Sequence, residues 1–131
     1  MTVGITDNII TIGILGSGQL GRMLSIACAQ LGIRTHIYAP NAENSPAGEI
    51  AHHTTTAAYD DDLALATFAA SVDVITSEFE NVPAKVIDLL ADYCPVSPGH
   101  AALHTAQHRI REKTLARELS IETPKFWPIT T

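Results

Sequence analysis

Three glycines constrain this chain more than any other feature. They lie in Gly16-Ser17-Gly18-Gln19-Leu20-Gly21, where an apolar run over residues 9–15 meets a segment of helical spacing. The run is short and rich in β-branched residues, which reads as a buried parallel strand. Gly16 permits the tight turn, Gly18 lets the backbone approach a ligand, and Gly21 lets helix and sheet pack closely. The following helix aims free N–H groups, and the positive end of its dipole, at whatever lies above the turn. A G-x-G-x-x-G turn in this context therefore points to a phosphate site.

The pattern beyond the turn predicts an α/β fold. Leu20, Leu24, Ala27, Cys28 and Leu31 recur at helical spacing, giving an apolar face closed by Gly32. Residues 35–39 read as a second strand, so the first unit is βαβ with a right-handed crossover. The loop "NAENSPAGEIAHH" has a possible helical turn from Pro46. After it come a short strand over 53–56 and a helix from an Asp60 N-cap to about residue 70. Residues 72–77 form a third strong strand. Pro83 then opens a helix with Val86, Leu89, Leu90 and Tyr93 on one face. "CPVSP" reads as a brief strand, and residues 99–120 as helix in two pieces broken near Gln107. The tail "IETPKFWPITT" is extended. The expected architecture is a doubly wound parallel sheet of four or five strands. Leu63 and Phe68 join the apolar side chains of the Pro83 helix as expected core.

Composition narrows the function. The chain has 131 residues, 46% hydrophobic and 17% charged, which suits a single globular domain. Eight Lys and Arg against fourteen Asp and Glu leave a net charge of −6, the opposite of a nucleic-acid backbone binder. Cys28 and Cys94 have no metal-type spacing and read as small buried hydrophobes of a reducing compartment. "MTVGITDN" lacks the basic start and apolar stretch of a signal peptide. No run reaches the roughly 18 apolar residues that a membrane span needs. A cytoplasmic protein without membrane or nucleic-acid partners is expected.

The ligand is the next question. An NAD site expects an acid at the end of the second strand, about twenty residues past the glycines, to hold the ribose hydroxyls. Here that strand ends Tyr38-Ala39-Pro40, and Glu43 lies beyond it in the loop. An NADP site would place an arginine nearby, and none follows Arg34 in this region. A single phosphate fits better than a dinucleotide. An NAD(P)- or flavin-binding Rossmann domain of an oxidoreductase remains the alternative.

"GILGSGQLGRML" strongly resembles the opening of the N5-carboxyaminoimidazole ribonucleotide synthetases, ATP-grasp enzymes of purine biosynthesis. "SPAGEIA", "SEFENVP" and "QHRIREKTLARELSIETPKF" agree with that family in order and spacing, so the resemblance covers residues 9–126. It implies an N-terminal extension over 1–8, a Rossmann-like pre-ATP-grasp domain over 9–120, and a linker over 121–131 toward an ATP-grasp domain that this sequence lacks. The implied reaction joins bicarbonate to 5-aminoimidazole ribonucleotide at the expense of ATP, in a homodimer. ATP and Mg²⁺ would be bound mainly by the absent domains, so the chain alone is expected to be inactive and to hold no catalytic residue.

The resemblance assigns the substrate 5′-phosphate to Ser17, Gly18, Gln19 and Leu20, chiefly through backbone N–H groups, with the Gln19 amide as an extra donor. It assigns Arg109 to ATP, with Lys113 one helical turn further on. Glu78 and Glu80 flank Phe79 at the end of a strand, and alternation puts both carboxylates on one side with Phe79 facing away. Glu78 is the candidate acceptor for the substrate's ribose hydroxyls or exocyclic amine. Glu80 reads as a cap for the Pro83 helix. His100, His104 and His108 form a stripe that lacks the acid of an H-E-x-x-H set, so a solvated helix face is expected there and no metal.

Overall fold

A computed structural model describes residues 9–129. The expected extension over 1–8 lies outside the described residues. Short runs of β-branched and small residues form β1 (Thr11–Leu15), β2 (Arg34–Ala39), β3 (His53–Thr56) and β4 (Val74–Ser77). They pair in parallel, in the order β3-β2-β1-β4. The helices are α1 (Gln19–Gln30), α2 (Asp62–Ala69), α3 (Ala84–Ala91), α4 (His100–Ala106) and α5 (Arg109–Glu118). The chain moves outward from β1 to β2 and β3, then crosses back through α2 to β4. The order therefore reverses between β1 and β4, and their carboxyl ends flank the crevice where open α/β sheets bind ligands.

Strand alternation gives the sheet two apolar faces. On one, Leu15, Tyr38 and Ile75 meet Leu65, Phe68, Val86, Ile87 and Leu90 from the following helices. On the other, Ile14, Ile37 and Ala39 meet Ala42 and Ala47 of the loop after β2. The doubly wound α/β architecture is as expected. The brief strand in "CPVSP" is reduced to one parallel bridge, Val96 with Ile75. Its ladder consists of Ile75 N–H donating to Pro95 O (2.8 Å) and Ser97 N–H donating to Ile75 O (2.9 Å). The last helical region is interrupted at Gln107 and His108, which end α4 and start α5.

Several expected faces are corrected. Leu20 and Leu24 of α1 and Leu31 at its C-terminal end are exposed, and the residues that α1 buries are Gly21 and Ser25. The helix lies so close to the loop after β2 that a Cβ on Gly21 would sit 3.2 Å from the Ala47 Cβ, so only small side chains fit. Asp61, not Asp60, caps α2, its Oδ1 accepting the Ala64 N–H at 2.9 Å. The expected core residue Leu63 is in solvent, and Leu65 is in the core instead. In α3 the buried set is Val86, Ile87 and Leu90, while Leu89 is half-buried and Tyr93 exposed. Cys94 is buried and Cys28 half-buried, both as free thiols. Gly32 closes α1 as expected, with φ of +73° and its N–H donating to Ala29 O.

One buried polar side chain makes stability depend on pH. His36 of β2 sits between the Ser71 hydroxyl (Nδ1, 2.9 Å) and the Thr55 hydroxyl (Nε2, 2.8 Å). Ser71 already donates to Phe68 O, so Nδ1 carries the proton and Nε2 accepts from Thr55. Protonating Nε2 would break that bond in a desolvated site. Burial, with the nearby His53, accordingly lowers the His36 pKa from 6.5 to about 4. The unfolded chain takes up this proton first. His36 therefore contributes full stability above pH 6.5, and that contribution is lost as pH falls toward 4. A shift of this size corresponds to on the order of 3 kcal/mol. Urea denaturation of wild type and His36→Gln on either side of this window is expected to show a steeper acid loss for wild type. Parallel losses would refute the assignment.

Candidate ligand site at the mouth of the first crossover

The glycine turn is fixed from three sides. Gly16 leaves β1 with φ of +104°, a conformation that disfavours any side chain, and its N–H donates to Tyr38 O at 2.9 Å. Ser17 is buried, its hydroxyl donating to Asn41 Oδ1 (3.3 Å) and its carbonyl accepting the Ala47 N–H (3.1 Å). These two bonds tie the loop after β2, with its "SPAGEIA" segment, to the turn. Gly18 is the N-cap of α1, and no side chain of its own supplies a cap.

Glu78 supplies one from across the sheet. It is the first residue past β4, and its N–H donates to Leu15 O at 3.1 Å. Its Oε1 accepts the Gly18 N–H at 2.5 Å and its Oε2 the Gly21 N–H at 2.5 Å. A carboxylate in this position is stabilised by both charge-assisted bonds and the helix dipole. The glycines make its approach possible. A Cβ at Gly16 would stand 2.5 Å from the Glu78 Cγ, and one at Gly18 or Gly21 would stand 3.0 Å from a carboxylate oxygen. The N–H groups of Gln19 and Leu20, both exposed, meet no acceptor among the described residues.

The alternation expected at Glu78 fails for a local reason. β4 stops at Ser77, whose hydroxyl donates to Phe79 O at 2.5 Å and turns the chain out of the extended form. Glu78 and Phe79 therefore line the same cavity, of about 290 Å³, together with Ser17, Gly18, Asn41 and Tyr59. Glu80 goes to the surface, where it accepts a bond from Asn81 (3.3 Å). It does not cap α3, whose N-cap is Pro83 without a side-chain bond. The capping carboxylate is Glu78, and the helix it caps is α1.

Sequence reasoning missed Tyr59. Its side chain lines this cavity, and its hydroxyl oxygen is buried without a hydrogen-bond partner among the described residues. Burial, the Glu78 charge and Tyr38 push its pKa up to about 12. Nothing around it in "AAYDDD" carries a local signal for such a role. Gln107, part of the last matching segment but without an expected role, joins α4 to the strand end by donating to Glu80 O and Val82 O, both at 2.8 Å.

Arg109 lies elsewhere, as the first residue of α5. It is exposed, with Nη1 donating to Glu112 at 3.1 Å, and it borders a second cavity of about 480 Å³ with Glu80, Ala106, Gln107 and Glu112. Lys113 turns toward the tail, its ammonium 5.3 Å from the centre of the Phe126 ring, which the Arg117 guanidinium also covers at 4.2 Å. His100 pairs with Asp88 (2.8 Å) and His104 with Arg111 (2.8 Å). Among the described residues, no three His, Cys, Asp or Glu side chains come together as a metal site.

Fold and site together define a Rossmann-like domain with a helix N-terminal anion cradle at the switch point of a parallel sheet. Residues 9–107 match the family model of the ribonucleotide synthetase preATP-grasp domain, and the chain belongs to that family. It is 51% identical over 113 residues to the N5-carboxyaminoimidazole ribonucleotide synthase of Brucella melitensis, an alignment covering 86% of this chain and 31% of that protein. It is similar in structure to the synthetase of Thermus thermophilus, with TM-score 0.80 and 40% identity over 86% of this chain and 31% of that one. The Aspergillus clavatus synthase in complex with ADP and 5-aminoimidazole ribonucleotide gives TM-score 0.76 and 32% identity, covering 87% of this chain and 30% of that one. The chain thus spans less than a third of these relatives. The oxidoreductase alternative is not favoured.

Proposed function

We propose that this chain is the substrate-presenting domain of an ATP-dependent ligase that carboxylates 5-aminoimidazole ribonucleotide with bicarbonate, giving N5-carboxyaminoimidazole ribonucleotide for purine biosynthesis. The observation that carries this reading is the cradle of amides at the β1–β4 switch point, in a chain whose relatives include a synthase complexed with that nucleotide. The N–H groups of Gly18, Gln19 and Leu20, beside the buried Ser17, hold the 5′-phosphate, and the exposed Gln19 amide adds a donor. Glu78 accepts from the ribose hydroxyls or the exocyclic amine.

In the proposed reaction, ATP phosphorylates bicarbonate to carboxyphosphate, and the amine then captures the carboxylate carbon as phosphate leaves. Such chemistry depends on positioning and charge neutralisation, and this domain contributes the positioning. Arg109 is its contact to ATP, since a guanidinium matches phosphate oxygens in a forked pair, and Lys113 follows on the same helix. Mg²⁺ and most ATP contacts are assigned to parts of the relatives that this chain does not span. Residues 9–120 act as the domain and 121–131 as a linker, in a cytoplasmic homodimer.

Calorimetric titration of the chain with 5-aminoimidazole ribonucleotide and with NAD⁺ tests the proposal. Heat of binding is expected for the ribonucleotide and none for NAD⁺. Tight NAD⁺ binding with none of the ribonucleotide would overturn it.

A further inference from the structure

Without ligand, the anion cradle is already occupied. Glu78 takes the Gly18 N–H, one of those assigned to phosphate, and the neighbouring Gly21 N–H, so a phosphate arriving at the α1 N-terminus competes with a carboxylate for this end of the helix. A carboxylate displaced from these amides gives up two charge-assisted bonds, and a second donor within the same cavity offsets part of that loss. The Tyr59 hydroxyl is such a donor: it is buried and unpartnered among the described residues, on a side chain that lines the same cavity as Glu78. Its ring packs against Phe79, the neighbour of Glu78, at 6.4 Å between centroids. Gly16 makes room for the carboxylate side chain, since a Cβ there would stand 2.5 Å from the Glu78 Cγ.

We propose that Glu78 is a two-position carboxylate, occupying the anion cradle when the site is free and moving onto the Tyr59 hydroxyl when a phosphate takes its place. This rests on the reading of the cradle as the phosphate site. In the free position the carboxylate satisfies the Gly18 and Gly21 amides, and its charge keeps the cradle closed to weak anions. In the second, one oxygen accepts from Tyr59 and the other is left for the ribonucleotide's hydroxyls. Tyr59 is thus a positioning residue, acting on the ligand through Glu78.

The test is a double-mutant cycle on inorganic phosphate binding, followed by the amide resonances of Gly18 and Gly21 in ¹⁵N-labelled chain. Glu78→Gln removes the competing charge, and Glu78→Asp keeps the charge but shortens its reach to the two amides. Both variants are expected to bind phosphate at least about fivefold more tightly than wild type, as loss of two charge-assisted bonds allows. Tyr59→Phe is expected to weaken phosphate binding severalfold in wild type and to have no effect in the Glu78→Gln background. The spread of amide resonances in each variant reports that it is folded. Equal phosphate affinity in wild type and all variants would leave the cradle as an anion site and overturn the two-position carboxylate. So would a Tyr59→Phe effect of the same size in both backgrounds. Phosphate that moves neither glycine resonance in any variant would instead overturn the reading of the cradle itself.

Discussion

Phe68→Ala is expected to lower the unfolding free energy by about 3–5 kcal/mol, the range for a buried aromatic side chain whose cavity does not collapse. Phe68 is fully buried and stands where three parts of the fold meet. Its ring lies edge-on to His36 at 5.0 Å and tilted against Tyr38 at 5.2 Å. Its Cζ fills the space above Gly13, only 2.7 Å from where a Cβ there would be. With no side chain at Gly13, little is available to refill the hole. Since domains of this kind are stable by about 5–15 kcal/mol, the loss is a large fraction of the total. Chemical denaturation measures it, and a loss under about 1 kcal/mol would show that Phe68 is not a keystone of this face.

Gly16→Ala is expected to damage the site more selectively. At φ of +104° an alanine is strained, typically by about 1–3 kcal/mol. Its Cβ would also be driven to 2.5 Å from the Glu78 Cγ. Relieving the φ strain moves the turn and displaces the Gly18, Gln19 and Leu20 amides that hold the phosphate. Ribonucleotide binding is therefore expected to fall at least tenfold, equivalent to about 1.4 kcal/mol. Gly99→Ala is the control, because nothing lies within 4 Å of a Cβ at that position. Unchanged binding in Gly16→Ala, measured by calorimetry against that control, would separate the glycine turn from the ligand.

Features written in local chemistry were legible in the sequence. The strand–glycine–helix junction, the parallel α/β order, the Gly32 helix end and the break at Gln107 each depend on residues a few positions apart. The faces of the helices were less legible. In α1 the conspicuous apolar stripe is exposed, while Gly21 and Ser25 pack inward, because the close approach selects for size rather than hydrophobicity. Periodicity identifies an apolar stripe and not what covers it. In α2, three consecutive aspartates could each cap, and only the path of the chain selects Asp61. The family resemblance includes the "SEFENVP" segment, but the direction of Glu78 depends on the Ser77–Phe79 turn that ends β4, and strand alternation cannot anticipate it. Tyr59 was invisible because its importance arises from burial beside a residue far away in sequence.

The most direct measurement follows the ¹⁵N amide resonances of the chain during titration with 5-aminoimidazole ribonucleotide. If the first crossover holds the 5′-phosphate, the Gly18, Gln19, Leu20 and Gly21 resonances shift together and saturate on one isotherm. The opposite finding is a titration that leaves these amides unmoved while resonances elsewhere respond, or one in which NAD⁺ moves them at lower concentration than the ribonucleotide does.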